Sequence, residues 1–195
     1  TTINENYTHP EMPKDCEEGI IKGMYVLSDN ESYDVRLLGS GAILREALKA
    51  KDILFKFKIK AQVWSVTSFN LLRKDGMEIE RYNQFNPSGK QKLTYVEECF
   101  SDSNVPVIAA TDYMRSYAEQ IRPYIHSSYT TLGTDGYGRS DSRQTLRDFF
   151  EVDSKSIARA AIYALYKNDK IDKNQIENYY KELGIDSNKP NPWEI

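Results

Sequence analysis

Short runs of β-branched and apolar residues alternate with stretches of helical periodicity, and this alternation restricts the fold more than any other feature of the chain. Strands are predicted at residues 33–38, 61–67, 105–111 and 129–132, each followed by apolar positions that recur every three or four residues. The run at 105–111 suits a strand buried on both faces. Strands and helices in this order predict a three-layer α/β/α fold, with a mostly parallel sheet and right-handed connections.

Turn and cap residues indicate where the helices end. Between the second and third strands, helical runs are expected at 78–85 and 93–100, and Pro123 should end the helix after the third strand. The helix after the second strand should stop at Gly76, and the last helix at Gly184. Side-chain oxygens that accept a backbone N–H are predicted to cap helices at Ser68, Asp112, Asp153 and Asp172.

The start of the chain has no periodic pattern. Residues 4–18 contain Pro10, Pro13 and scattered charge, which indicates an extended linker. The first residues are β-prone and no initiator Met is present, which hints at a piece of a longer polypeptide. A further strand is expected at residues 24–27.

The composition predicts a cytoplasmic protein that binds neither nucleic acid nor membrane. A chain of 195 residues, 39% of them apolar, is long enough for one domain with a full core. The net charge is −3 with both signs interspersed, and no apolar run approaches the length of a membrane span. Cys16 and Cys99 are far apart, so we expect two reduced thiols and neither a disulfide framework nor a zinc site.

The segment LGTDGYGRSDSR, at residues 132–143, is a candidate functional loop. It follows the last predicted strand and therefore lies at the carboxyl end of the sheet, where open α/β sheets bind their ligands. Its glycines permit positive φ or close backbone approach, and Asp141 with Gln144 predicts a helix cap. The alternative is a tight connection whose charges pair internally or face water. The candidate functional residues are Asp135, Arg139, Asp141 and Arg143.

Other motifs are incomplete. Gly39-Ser40-Gly41 follows a strand and precedes a helix, but Leu44 occupies the third glycine position of a dinucleotide-binding loop. Thr134-Asp135-Gly136 with Asn168 is only superficially similar to the magnesium signature of thiamine diphosphate enzymes, because Thr134 replaces the leading glycine. Neither histidine has metal ligands at suitable spacing, and no nucleophilic triad is indicated. The residues alone predict an α/β domain without a complete active site.

Four segments carry a resemblance to one family. They are LLGSGAIL at 37–44, WSVTSF at 64–69, ATDYM at 110–114 and the loop at 132–143. From Asn4 to Pro192 the chain closely resembles the carboxyl-terminal domain of the homodimeric-type pyruvate dehydrogenase first component, a thiamine-diphosphate-dependent decarboxylating subunit.

The resemblance implies a transketolase-like carboxyl-terminal domain. Such a domain has a five-stranded mixed sheet, in which the first strand, at residues 24–27, runs antiparallel to the others. Residues 1–7 would be the last strand of a preceding pyrimidine-binding domain. Residues 1–22 would then be the tail end of that domain plus a linker, and residues 23–195 the carboxyl-terminal domain.

The resemblance also implies an activity for the whole enzyme. That enzyme would decarboxylate pyruvate on thiamine diphosphate with magnesium and reductively acetylate a lipoyl group of an acyltransferase component. The amino-terminal and middle domains of two subunits would hold the cofactor, so this chain alone is expected to be inactive and to bind neither cofactor nor metal. Expected partners are the remaining domains of the polypeptide, the homodimer partner and the lipoyl-bearing acyltransferase. No catalytic residue is assigned to this domain.

Two expectations concern association. The alternative function is a non-catalytic interaction module whose charged loop docks a partner protein. Because the enzyme implied by the resemblance is a homodimer, the isolated domain should self-associate or expose an apolar patch where its dimer partner and missing domains would sit, since obligate interfaces resemble a divided core. The candidates for this patch are Tyr113, Tyr117, Tyr137, Phe149 and Phe150.

Overall fold

Five strands form one mixed sheet in the computed structural model, which describes residues 10–28, 32–101 and 104–194. Their order across the sheet is β1-β3-β2-β4-β5, where β1 runs antiparallel to β3 and all other pairs are parallel. The predicted α/β fold, with its antiparallel first strand, is therefore confirmed. The strands are β1 Met24–Ser28, β2 Val35–Ser40, β3 Ala61–Val66, β4 Val107–Ala110 and β5 Tyr129–Leu132.

Helices cover both faces of the sheet. Helices α2, α6, α7 and α8 contribute to the core on one face, whereas α3, α4 and α5 contribute to the core on the other. None of the described helices is both long and apolar enough to cross a membrane. The helices are α1 Glu17–Lys22, α2 Leu44–Lys56, α3 Phe69–Phe85, α4 Tyr95–Cys99, α5 Arg115–Glu119, α6 Arg143–Phe149, α7 Ser154–Lys167 and α8 Lys173–Leu183, with 3-10 turns at Gly41–Ile43 and Arg122–Tyr124.

The central strands are buried on both faces. Neighbouring residues Leu37 and Leu38 of β2 point into the two different cores, as the alternation of side chains along a strand requires. Every residue of β4 is buried, which explains its continuous apolar sequence. Each fully buried leucine contributes about 2 kcal/mol of hydrophobic stabilisation.

Gly76 does not end a helix. Helix α3 continues through it to Phe85, so the expected stop at this residue was wrong. A Cβ at Gly76 would lie 2.1 Å from a ring carbon of Tyr124, whose side chain is buried. The glycine is therefore needed for packing between α3 and the 3-10 turn at Arg122–Tyr124, and this requirement outweighs its poor helix propensity.

Three of the four predicted helix caps are confirmed. The side chains of Ser68, Asp153 and Asp172 each accept a backbone N–H in the first turn of the following helix, and Gly184 closes α8 in the left-handed conformation. Asp112 is not a cap, since α5 begins only at Arg115. Helix α5 also ends at Glu119, so Pro123 belongs to the separate 3-10 turn and does not end the helix.

The segment before β1 is partly helical. Helix α1 includes Glu17 and Glu18, so the last part of the predicted linker was wrong. This helix is tied to the sheet because the Thr67 hydroxyl donates a hydrogen bond of 2.9 Å to the Ile20 carbonyl. The expected strand at residues 1–7 lies outside the described residues, and the division at residues 22 and 23 stays a prediction.

Candidate functional site

The topology creates a crevice at the carboxyl edge of the sheet. Strand β2 lies between β3 and β4, the next two strands along the chain. The chain leaves β2 through α2 on one face and leaves β4 through α5 on the opposite face. The two loops therefore diverge, and a crevice at such a switch point is the usual ligand site of an open α/β sheet.

The loop after β5 lies at this edge, as predicted, and is fastened to the loop after β4. The Thr134 N–H donates to the Tyr113 carbonyl at 2.9 Å, and the Arg115 N–H donates to Asp135 Oδ1 at 3.0 Å. Asp135 Oδ2 also lies 3.5 Å from Arg115 Nε. A Cβ at Gly133 would lie 2.7 Å from both the Arg115 nitrogen and the Tyr113 oxygen, so the loops meet only because residue 133 is glycine.

Ser142, and not Asp141, caps the helix after this loop. The Ser142 Oγ accepts the Thr145 N–H at 3.3 Å, whereas the Asp141 carboxylate accepts the adjacent Ser142 N–H at 2.6 Å. The predicted Asp141 cap was therefore wrong by one residue. The cause is the start of α6 at Arg143, which puts Ser142 immediately before the first helical residue.

A cleft of about 320 Å³ opens between this loop, α6 and the 3-10 turn at Gly41–Ile43 that precedes α2. Apolar side chains form much of its wall, and Gly136 and Gly138 present backbone to it. Three arginines and one aspartate line it, so its charged residues carry a formal charge of +2. The apolar lining residues are Ala42, Ile43, Leu146, Phe150 and Val152, and the charged ones are Asp112, Arg139, Arg143 and Arg147.

Arg139 and Arg147 contact neighbouring side chains. The Arg139 guanidinium lies 4.8 Å from the centre of the Phe149 ring. Arg147 Nη1 lies 3.4 Å from Oε1 of Glu46, a residue that is only 5% exposed. These contacts restrict where the two guanidinium groups can point.

Glu46 joins three helices through one carboxylate. It accepts hydrogen bonds from the Lys49 ammonium at 2.8 Å, from Arg147 and from the Ser154 N–H at 3.0 Å. Burial raises the pKa of this carboxyl, but the hydrogen bonds from Lys49 and Ser154 and the charges of Lys49 and Arg147 outweigh it, so the pKa lies below its ordinary value. Glu46 therefore stays ionised and fixes α6 against α2 and α7.

The four candidate residues of the loop do not lie at one site. Arg139 and Arg143 line the cleft together, Asp135 binds Arg115 between the two loops, and Asp141 hydrogen bonds within its own turn. Sequence reasoning missed Arg147. The four-residue spacing of Arg143 and Arg147 was a usable signal, because residues four apart share a helix face.

The five aromatic candidates do not form one exposed patch. Tyr113 and Tyr137 are 62% and 94% exposed, whereas Phe150 is buried and belongs to the core beside α7. Phe150 was therefore wrongly included, and Phe149 beside it is also partly buried against this core. Trp193, which sequence reasoning missed, is 54% exposed and lies beneath the Arg115 guanidinium, 5.2 Å from its ring centre.

The described residues do not fit a magnesium diphosphate site. Within residues 10–28, 32–101 and 104–194, no group of three or more His, Cys, Asp or Glu side chains could hold a metal ion. Asp135, the acid of the Thr134-Asp135-Gly136 motif, is already bound by Arg115. Asn168 ends α7, where its N–H donates to backbone carbonyls.

Comparison with known proteins places the chain in a family. The Pyruvate dehydrogenase E1 components of Pseudomonas aeruginosa and Escherichia coli are 51% and 44% identical to it, each over 98% of the chain. The chain spans only 22% of the length of these relatives.

Transketolases are among the solved structures that share this fold. The enzyme of Leishmania mexicana has a TM-score of 0.56 at 19% identity, and one from Pichia stipitis a TM-score of 0.53 at 21% identity. Each alignment covers 77% of this chain and 19% of the solved chain, and at this identity it demonstrates the fold alone. A family model described as the transketolase-like TK C-terminal domain matches residues 23–153, more than half of the sequence, so the chain belongs to the transketolase-like C-terminal domain family.

Proposed function

We propose that this chain serves as the carboxyl-terminal domain of a complete pyruvate dehydrogenase E1 component. The observation that carries the proposal is the 51% identity to the Pseudomonas aeruginosa protein, which extends over 98% of this chain but only 22% of that relative. A match that covers nearly all of this chain but about a fifth of the relative is expected for one domain of a larger enzyme. The match of the transketolase-like C-terminal family model to residues 23–153 supports the same position in the polypeptide.

The complete polypeptide would decarboxylate pyruvate and transfer the acetyl group to an oxidised lipoyl group of an acyltransferase, releasing CO2. Thiamine diphosphate would supply the carbanion chemistry when bound, with magnesium holding its diphosphate. Preceding domains would bind both, because the described residues of this chain offer no suitable set of metal ligands. The pairing of Asp135 with Arg115 supports a structural role for the one motif that is similar to a magnesium signature.

This domain would contribute contacts to the rest of the assembly. We assign it to the interfaces with the remaining domains, with a homodimer partner and near the active-site rim, in a cytoplasmic enzyme. The exposed side chains of Tyr113, Tyr137 and Trp193 lie around the two fastened loops and support such a role. Aromatic residues of this kind are enriched in protein interfaces.

The test compares this chain with the complete polypeptide and with a version that lacks residues 23–195. CO2 release from pyruvate and thiamine diphosphate binding by calorimetry are measured for all three. We expect turnover only from the complete polypeptide and no cofactor binding by the isolated chain. Turnover or tight cofactor binding by this chain alone would contradict the proposal.

The second candidate function is a non-catalytic interaction module. It is favoured by Tyr137, which is 94% exposed in the loop at residues 132–143, here called the glycine loop. A pull-down with immobilised chain distinguishes the two. Retention of a partner by a chain whose complete polypeptide has no decarboxylase activity would favour the module. Loss of retention in Tyr137→Ser, with Tyr163→Ser as an exposed tyrosine control on α7, would locate the contact.

A further inference from the structure

The cleft beside α6 has the position and size of a ligand site. It lies at the carboxyl edge of the sheet, next to the switch point between β2 and β4, and has a volume of about 320 Å³. Small-molecule sites in proteins begin at about this volume and are common at switch points. The cleft therefore suits a small molecule.

The charge of the cleft selects an anion. Arg139, Arg143 and Arg147 line it together with Asp112, and Glu46 pairs with Arg147 behind the wall, so two arginines stand against one carboxylate in a chain whose net charge is −3. Because the guanidinium group donates two parallel hydrogen bonds, it matches the oxygens of a phosphate or carboxylate. The ion pair between Arg147 and buried Glu46 holds one of the three groups in place before a ligand arrives, which lowers the entropic cost of binding.

The apolar wall selects a second property of the ligand. Ile43, Leu146, Phe150 and Val152 line the same cleft as the three arginines. Inorganic phosphate would leave this wall in contact with water. A molecule with an apolar ring and an anionic group would bury it and bind the arginines at the same time.

We infer that this cleft binds a small organic anion in which a phosphate or carboxylate group is attached to an apolar body. Arg143 and Arg139 contact the anionic group, and Ile43 with Phe150 contacts the apolar body. The inference goes beyond the proposed function and does not depend on it, since it concerns binding to this chain and requires no catalysis.

The experiment is an NMR titration of the 15N-labelled chain with phenyl phosphate. Inorganic phosphate and phenol, each of which carries only half of the required chemistry, serve as reference ligands. Arg143→Gln removes one exposed guanidinium at the cleft, and Arg81→Gln is the matched control on the exposed side of α3. Arg147 is left intact because its pairing with Glu46 stabilises the fold.

We expect phenyl phosphate to shift the amide signals of Ala42, Gly136 and Gly138 and to bind more tightly than either reference ligand. Arg143→Gln should weaken it by about tenfold or more, as expected for the loss of a charge-assisted hydrogen bond, and Arg81→Gln should not. Shifts elsewhere, equal weakening in the two variants, or equal binding of inorganic phosphate would overturn the inference. A response of these amides only to the preceding domains of the polypeptide would also overturn it and identify a protein segment as the occupant.

Discussion

Gly133→Ala should break the contact between the two loops at the carboxyl edge. The added Cβ would lie 2.7 Å from the Arg115 nitrogen and the Tyr113 oxygen. Both are backbone atoms, so neither can rotate away as the end of a side chain could. The Thr134 to Tyr113 and Arg115 to Asp135 hydrogen bonds, of 2.9 and 3.0 Å, must lengthen if the loops separate.

The expected loss of unfolding free energy is about 2 kcal/mol. Overpacking costs about 1–3 kcal/mol and a lost hydrogen bond about 1 kcal/mol, whereas alanine stabilises by about 0.4–1 kcal/mol through the unfolded chain. In a domain of this length, that loss lowers Tm by about 4–8 °C. Gly138→Ala is a matched control in the same loop, because a Cβ there has no atom within 4 Å. It should leave stability unchanged or raise it by up to about 1 kcal/mol.

Urea unfolding and scanning calorimetry of the three proteins test this reasoning. A Gly133→Ala protein as stable as the parent would refute it, since the loops could then separate without cost. A Gly138→Ala protein that loses as much stability would refute it differently, because the loop would then need glycine for backbone conformation and not for close approach.

Four further substitutions test single contacts. Ser142→Ala should cost about 1 kcal/mol in urea unfolding and Asp141→Ala clearly less, because only Ser142 caps α6. Glu46→Gln should cost about 2 kcal/mol, because the amide keeps one acceptor oxygen but loses the charge that strengthens its hydrogen bonds to Lys49 and Arg147. The pKa of Glu46 in the folded protein lies below its ordinary value of 4.5. The stability that ionised Glu46 contributes is therefore present above pH 4.5 and is lost as the pH falls through the folded pKa. Unfolding measured between about pH 6 and pH 3 should show a weaker acid dependence in the variant than in the parent. Gly76→Ala should lower Tm despite the better helix propensity of alanine, because its Cβ would lie 2.1 Å from the Tyr124 ring.

Local patterns predicted the sheet well because its central strands are buried on both faces. A continuous apolar run such as β4 suits a strand buried on both faces, and the residues that follow such runs show helical spacing. The antiparallel direction of β1 could not be predicted in this way, since direction depends on the route of the chain between strands. It followed only from the resemblance to a known family.

The errors arose where a residue acts through distant neighbours. Gly76 is typical of a helix end in sequence, but its neighbour is Tyr124, which is 48 residues away. Asp112 is a residue type that often caps helices, but the N–H of Arg115, the first residue of α5, donates to Asp135 from the next loop. Arg147 was missed although it lies four residues after Arg143 on α6, and its contact with Glu46 in α2 depends on a residue far away in sequence.

The position of Arg115 links the end of the chain to the glycine loop. One side chain approaches the Asp135 carboxylate with its Nε and covers the Trp193 ring with its guanidinium. A partner that holds the Trp193 ring against Arg115 would also favour the contact between Arg115 and Asp135. Ordering of the glycine loop would in turn favour this position of Trp193 by the same coupling free energy. Trp193 and the loop at residues 132–143 therefore share one arginine, and a truncation before Trp193 should alter the surroundings of a loop that is not adjacent to it in sequence.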